Sequence, residues 1–182
     1  MKTKTRKIAF ITMFSAVNYV VFTFGKIDIP LAAGSSVAIH LANAVVVVSS
    51  LLLGPVEGGI AGAIGLSVAD LLDPRYVMSA PKTFFLKFII GYVSGTVFRK
   101  QNDDGKKSVF ISAIAGLGCN VILDPVVGYL YKTYLLKIPQ EAAKIILAWT
   151  SGVTLLNAVC CTGVSVLLYS ALKKPFAQIY KR

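Results

Sequence analysis

Three ionisable residues stand out inside long apolar stretches of the chain: Asp70, Lys87 and Asp124. In hydrocarbon such a group costs several kcal/mol unless it is paired or hydrated, so each marks a place where something must be bound or held. Two carboxylates and an amine at similar depth can fasten helices, relay a proton, or exchange hydrogen bonds with a polar ligand. Asn120 stands one helical turn before Asp124, on the same helix face. His40 and Asn43 fall at the outer end of another apolar stretch, and Asn157 projects from the last one. Trp149 and Tyr129 offer aromatic surface, while Arg75, Tyr76 and Lys82 lie in the segment between the third and fourth stretches. Polar groups from several stretches with aromatics beside them describe a small-ligand site better than an ion pore. Pro125, next to Asp124, releases backbone groups inside a helix and so suits a kinked pocket wall. The plainer alternative is that Asp70 or Asp124 pairs with Lys87 and only locks helices together.

The elements that must position these groups follow from composition. Of 182 residues 55% are hydrophobic and only 15% charged, and mean hydropathy is +0.71. A soluble domain carries about a quarter charged residues, so this is an integral membrane chain, and disorder is excluded. The formal charge of +11 does not form one patch, which argues against nucleic acid. It gathers at Lys2, Lys4, Arg6 and Lys7, at Arg99, Lys100, Lys106 and Lys107, and at Lys173, Lys174, Lys181 and Arg182. A transmembrane helix needs about 20 apolar residues, and turn signals cut the chain into six: 8–24, 37–53, 56–72, 83–98, 109–131 and 142–172. The last is longer than one crossing and is expected to tilt or to begin in the interface. The first is too long for a signal-peptide core and lacks an A-x-A site, so it counts as a span. With both termini inside, twelve Lys and Arg residues face the cytoplasm against six outside, giving an N-in, C-in, all-α bundle in one domain, 1–182.

No HExxH, GxSxG or GxxxxGK[ST] motif is present, and Cys119, Cys160 and Cys161 lack metal-ligand spacing. The sequence therefore predicts no enzyme, no metal and no cofactor. Gly58, Gly62 and Gly65 make a small-residue stripe suited to packing within the chain, and Thr5, Ala9, Thr12 and Ala16 make one on the first span suited to a partner.

The stretch GSSVAIHLANAVVVVSSLLLGPVEGGIAGAIGLSVADLLDPRYVMSAPKTFFLKFIIG, Gly34 to Gly91, with the basic N-terminus and six spans, resembles the S components of energy-coupling factor (ECF) vitamin transporters. It resembles most the subgroup of riboflavin-type and hydroxymethylpyrimidine- or pyridoxine-type S components. The resemblance implies a bacterial cytoplasmic-membrane protein that binds a vitamin from outside without hydrolysing ATP. It implies a transmembrane coupling protein (T component) and two cytoplasmic ATPases (A components) as partners. Docking would use the first-span stripe, although the family's AxxxA is absent here. The segment Lys26–Ile39, with Pro30 and Gly34-Ser35-Ser36, corresponds to the family's lid, with Ile29 and Leu31 capping the pocket. Substrate contacts are expected from His40, Asn43, Asp70, Lys87, Asn120, Asp124, Trp149 and Asn157. These suit a small hydroxylated heteroaromatic such as pyridoxine or hydroxymethylpyrimidine. Riboflavin wants more apolar and aromatic surface, and pantothenate wants an unpaired cation, which Lys87, Lys82 or Arg75 would supply. Two other classes stay open: an autonomous ion-coupled transporter using Asp70, Lys87 and Asp124 as a relay, and a structural membrane protein.

Overall fold

The computed structural model describes residues 2–31 and 36–181, so Gly34 and Ser35 of the expected hinge lie outside the described residues. Six α-helices carry the chain: α1 (Lys2–Gly25), α2 (Ala42–Leu53), α3 (Pro55–Leu71), α4 (Ala80–Lys100), α5 (Lys106–Leu130) and α6 (Gln140–Lys181). Between α1 and α2 two strands, β1 (Ile27–Pro30) and β2 (Ser36–Ile39), pair antiparallel with Ile27 opposite Ile39 and Pro30 opposite Ser36. Among the described residues three helical segments are long and apolar enough to cross a membrane: within α1, α5 with the π-helical turn that follows it (Tyr131–Leu135), and α6.

The second expected span is not one helix. Its first residues form β2, and α2 has only 12 residues, about 18 Å at 1.5 Å per residue. A short helix at membrane depth is tolerable when protein surrounds it, and all of α2 except Leu52 is buried. Val46, Val47 and Val48 form the centre of the core with Leu66, Ile90 and Leu117 from α3, α4 and α5. The turn between α2 and α3 is a single residue, Gly54, at φ 116°, followed by Pro55 at the first position of α3. A positive φ favours glycine, and proline at a helix start gives up no needed hydrogen bond.

Glycines then let the helices close on one another. A Cβ at Gly62 would lie 2.6 Å from the Val46 side chain on α2, and one at Gly91 would lie 2.6 Å from Cα of Gly59, where α4 crosses α3. Gly58 abuts the Ser50 backbone and Gly65 the Ser15 carbonyl of α1. The small-residue stripe of α3 thus packs inward, as lipid-embedded helices require in the absence of a hydrophobic drive to associate. Large apolar residues face outward instead: Ile122, Val159 and Leu167 are each more than two-thirds or about two-thirds exposed, the surface a bilayer covers.

Helix α6 is continuous for 42 residues, including Pro175, about 63 Å and well beyond a hydrocarbon core of about 30 Å. Its C-terminal turns return to α1, where Phe176 packs on Phe10 and Phe14 with ring centroids 5.0 and 6.4 Å away.

Candidate functional site

A cavity opens among the hairpin, α2, α3, α4, α5 and α6, and its lining is mostly polar. Of the eight sequence-expected contacts, His40, Asn43, Asp70, Lys87, Asn120, Asp124 and Asn157 all line it. Depth along a helix does not give rotation about it, so this convergence is a structural finding. Trp149 is not among the lining residues. It is half exposed and borders a separate outer groove with Ile29, Ile39 and Val153, because its place on α6 is turned away from Thr150, Thr154 and Asn157. The hairpin is also reversed from expectation: β2, with Ser36, Val37 and Ala38, faces the cavity, whereas Ile29 borders the outer groove. Tyr76 lines the cavity, and Tyr129 and Arg75 do not.

The charges pair differently from the Asp–Lys87 lock of the plainer alternative. Asp124 accepts from Lys82 Nζ at 2.6 Å and from Thr154 Oγ1 at 3.1 Å. Asp70 accepts from Thr83 Oγ1 at 2.5 Å. Lys82 and Thr83 belong to the first turn of α4, which starts earlier than the expected span and so carries Lys82 from a presumed external loop into the site. Lys87, 9% exposed, lines the cavity without an ion-pair or hydrogen-bond partner for its amine among the described residues.

Lys132 was expected outside the membrane, yet it is buried to the same degree and lines the cavity too, again with no partner for its amine. It sits in the π-helical turn that extends α5. The spacing Asp124, Gly128, Lys132, one helix face at successive turns, was the signal that would have found it. Thr83, Thr150 and Thr154 carry no sequence signal, since threonine is ordinary in such helices.

Asn157 serves the protein itself. Its Oδ1 accepts from the His40 backbone N–H at 3.1 Å, and its Nδ2 donates to the Ala38 carbonyl at 2.9 Å. One carboxamide of α6 therefore fastens the end of β2, satisfying backbone groups where strand gives way to helix. The His40 ring lies edge-on to Phe22 of α1 at 4.9 Å, and its Nδ1 is buried without a partner. The carboxamide oxygens of Asn43 and Asn120 are likewise buried and unpaired. Six buried side-chain polar atoms lack a partner among the described residues, and three of them line this one cavity. Such orphans are rare in folded proteins and each calls for an explanation.

The cavity is small as it stands, about 90 Å³, the room of a few water-sized groups. A ring-bearing ligand enters only as the hairpin or the lining side chains give way. The hairpin is held by a charge network on its outer side. Arg75 meets Asp28 of β1 at 2.6 Å and Asp73 at 2.8 Å, Lys26 meets Asp73 at 2.5 Å, and Tyr76 Oη donates to Asp28 at 2.6 Å. Lys26 also lies over the Phe22 and Tyr76 rings at 4.7 and 4.4 Å, a favourable place for a cation. Hydrogen bonds from Arg75, then from Lys26, hold the Asp73 carboxyl well below the usual carboxylate range against the opposing effect of burial. Burial first, and the Asp28 carboxylate second, push the Tyr76 phenol far above its ordinary value.

The stripe Thr5, Ala9, Thr12 and Ala16 lies on the exposed side of α1. The opposite side, with Phe14, Ser15, Asn18 and Phe22, is buried against the bundle. Among the described residues no cluster of three or more His, Cys, Asp or Glu has the arrangement of a metal site.

Comparison with known proteins bears on this arrangement. A family model described as "ECF-type riboflavin transporter, S component" matches residues 2–174. A solved structure of the S component of a bacterial ECF transporter superposes with a TM-score of 0.60 at 21% identity, over 98% of this chain and 99% of that one. At that identity the likeness is one of fold. No curated protein sequence matches.

Proposed function

This chain belongs to the ECF-type riboflavin transporter S component family, and from the polar lining of its cavity we propose that it binds a small hydroxylated heteroaromatic vitamin or precursor, of the pyridoxine or hydroxymethylpyrimidine class. As a family member it is a multi-pass membrane protein and the substrate-binding subunit of a transporter, not an enzyme. The observation that carries the ligand reading is the lining itself: His40 Nδ1 and the carboxamide oxygens of Asn43 and Asn120 are buried and unpaired beside Asp70. A ring nitrogen and its hydroxyls would meet such groups, and Phe22 and Tyr76 supply the aromatic surface.

A second reading, riboflavin, is favoured by the description of the matching family. A tricyclic ring wants more apolar and aromatic surface than this lining offers, which is why it ranks second. In either reading the chain crosses the bacterial cytoplasmic membrane six times as a single domain with both termini inside, and takes its ligand from outside. It works with a T component and two A components that hydrolyse ATP, and docks on the T component through Thr5, Ala9, Thr12 and Ala16. An autonomous ion-coupled transporter would instead move substrate without those partners.

The test is reconstitution in liposomes with and without the coupling module. Binding by the isolated chain and ATP-dependent uptake only with the module is the expected result. Gradient-driven uptake by the chain alone would overturn the assignment.

A further inference from the structure

We propose that the groove on the outer side of the hairpin holds an acyl chain of a bilayer phospholipid, which braces the hairpin against α6. The groove has a volume of about 430 Å³, with Ile29 and Ile39 of the hairpin as one wall and Trp149, Gly152, Val153 and Leu156 of α6 as the other. Among the described residues no charged side chain lines it, and the two charged residues at the start of α6, Glu141 and Lys144, pair with each other. It shares no lining residue with the polar cavity, so its occupant does not depend on what the cavity binds.

The groove is continuous with the surface that the bilayer covers. Trp149, Gly152, Leu156 and Val159 recur at intervals of three and four residues, on one face of α6, and Trp149, Leu156 and Val159 are all exposed. Tryptophan suits the membrane interface, and Leu156 lies about 10 Å further along the helix axis, so the groove descends from that interface into hydrocarbon. The hairpin needs a second layer there. An isolated pair of strands is marginal in water, and this pair has four residues in each strand. Its inward side is held where Tyr76 meets Asp28 and Asn157 meets the Ala38 carbonyl. On the other side Ile27 stands opposite Ile39, and Ile27 is two-thirds exposed. Isoleucines on the free face of a strand pair beside lipid-facing helix are completed by an apolar chain that makes no demand for hydrogen bonds. Gly152 leaves the room for it. A Cβ there would meet nothing within 4 Å, whereas Gly62 and Gly91 are pressed against neighbouring helices, so packing within the chain does not account for a glycine that weakens a helix relative to alanine.

The experiment uses phosphatidylcholine and phosphatidylglycerol with brominated acyl chains, each titrated into the purified chain in detergent micelles. Bromine quenches tryptophan fluorescence at contact range, and Trp149 is the chain's one tryptophan. The expected quenching saturates at a stoichiometric amount of lipid and is alike for the two headgroups, because no charge lines the groove. Gly152→Leu fills the groove with a better helix former and should lose the saturable part while the chain stays folded, as thermal unfolding would report. Added lipid should slow hydrogen exchange of residues 27–30 in the parent chain and leave it unchanged in the variant. Quenching that rises without saturating, or that saturates equally in Gly152→Leu, would overturn the proposal. So would saturation by phosphatidylglycerol alone, which makes the contact one of headgroup charge, or a lipid-free dimer in native mass spectrometry, which makes the groove a contact between copies of the chain.

Discussion

Two polar clusters share the end of the bundle where the hairpin lies, and they are built on opposite rules. Outside the hairpin, Lys26, Asp28, Asp73, Arg75 and Tyr76 satisfy one another at 2.5–2.8 Å. Inside, the amines of Lys87 and Lys132, the carboxamide oxygens of Asn43 and Asn120, and His40 Nδ1 face a cavity without a hydrogen-bond or ion-pair partner among the described residues. Tyr76 belongs to both, donating to Asp28 while its ring lines the cavity. Where polar groups are paired they hold the fold, and where they are buried and unpaired they wait for a ligand. Counting charged residues does not separate the two cases. Only the pairing does.

The sharpest way to break this comparison is to unpair the one satisfied ion pair inside the cavity. Asp124→Leu leaves Lys82 buried beside Lys87 and Lys132 with Asp70 as the remaining carboxylate of the lining, and loss of one partner of a buried pair costs about 3–5 kcal/mol. The folded yield should fall steeply, as size-exclusion profiles and thermal unfolding would report, and Lys82→Met combined with Asp124→Leu should restore most of it. A stable single variant would place Asp124 on the ligand's side of the divide.

The orphaned acceptors should behave the other way. Asn43→Leu or Asn120→Leu removes a buried group that has no partner in the fold, so stability should hold or rise. Ligand affinity should drop by about 1–3 kcal/mol, the cost of an unmade hydrogen bond to the ligand, measurable by calorimetry. Lost stability without lost affinity would assign these residues to packing.

On the latch, Arg75→Gln should cost far less than the loss of Asp124, because the guanidinium is half exposed and such pairs are screened. That loss should shrink further in added salt, whereas the Asp124 effect should not. The smallest effect concerns acid. The folded-state pKa of Asp73 is depressed, so its contribution is full above the ordinary carboxylate pKa and is lost only as pH falls through the lower, folded-state value. The latch should therefore survive titration from pH 7 to about 4, and an Asp73→Asn variant, which mimics the protonated form, should hold the hairpin less firmly by the same amount across that whole range. Hairpin release at pH 5, seen by hydrogen exchange of residues 27–30, would contradict it.

Much of the bundle was legible in the sequence because apolar length and charge clustering govern membrane helices. The boundaries that failed did so for local reasons. Val37 and Ala38 look like the start of a span, yet β2 is anchored by Asn157 from more than a hundred residues away, a contact no periodicity reveals. Lys82 and Lys132 were assigned to loops because a lysine near a helix end is usually solvated. The early start of α4 and the π-helical extension of α5 bring both inside. Trp149 was drawn to the site by its residue type and its depth, and helix rotation turns it outward.

The central claim, that the unpaired groups of this cavity receive a small ligand, is tested most directly by mass spectrometry of molecules released from the gently purified chain beside an Asn43→Leu/Asn120→Leu double variant. The account predicts one small polar compound at near-stoichiometric amount from the parent chain and little or none from the equally folded variant. The same compound retained equally by both, or a folded parent that releases nothing and binds no water-soluble vitamin on titration, would contradict it.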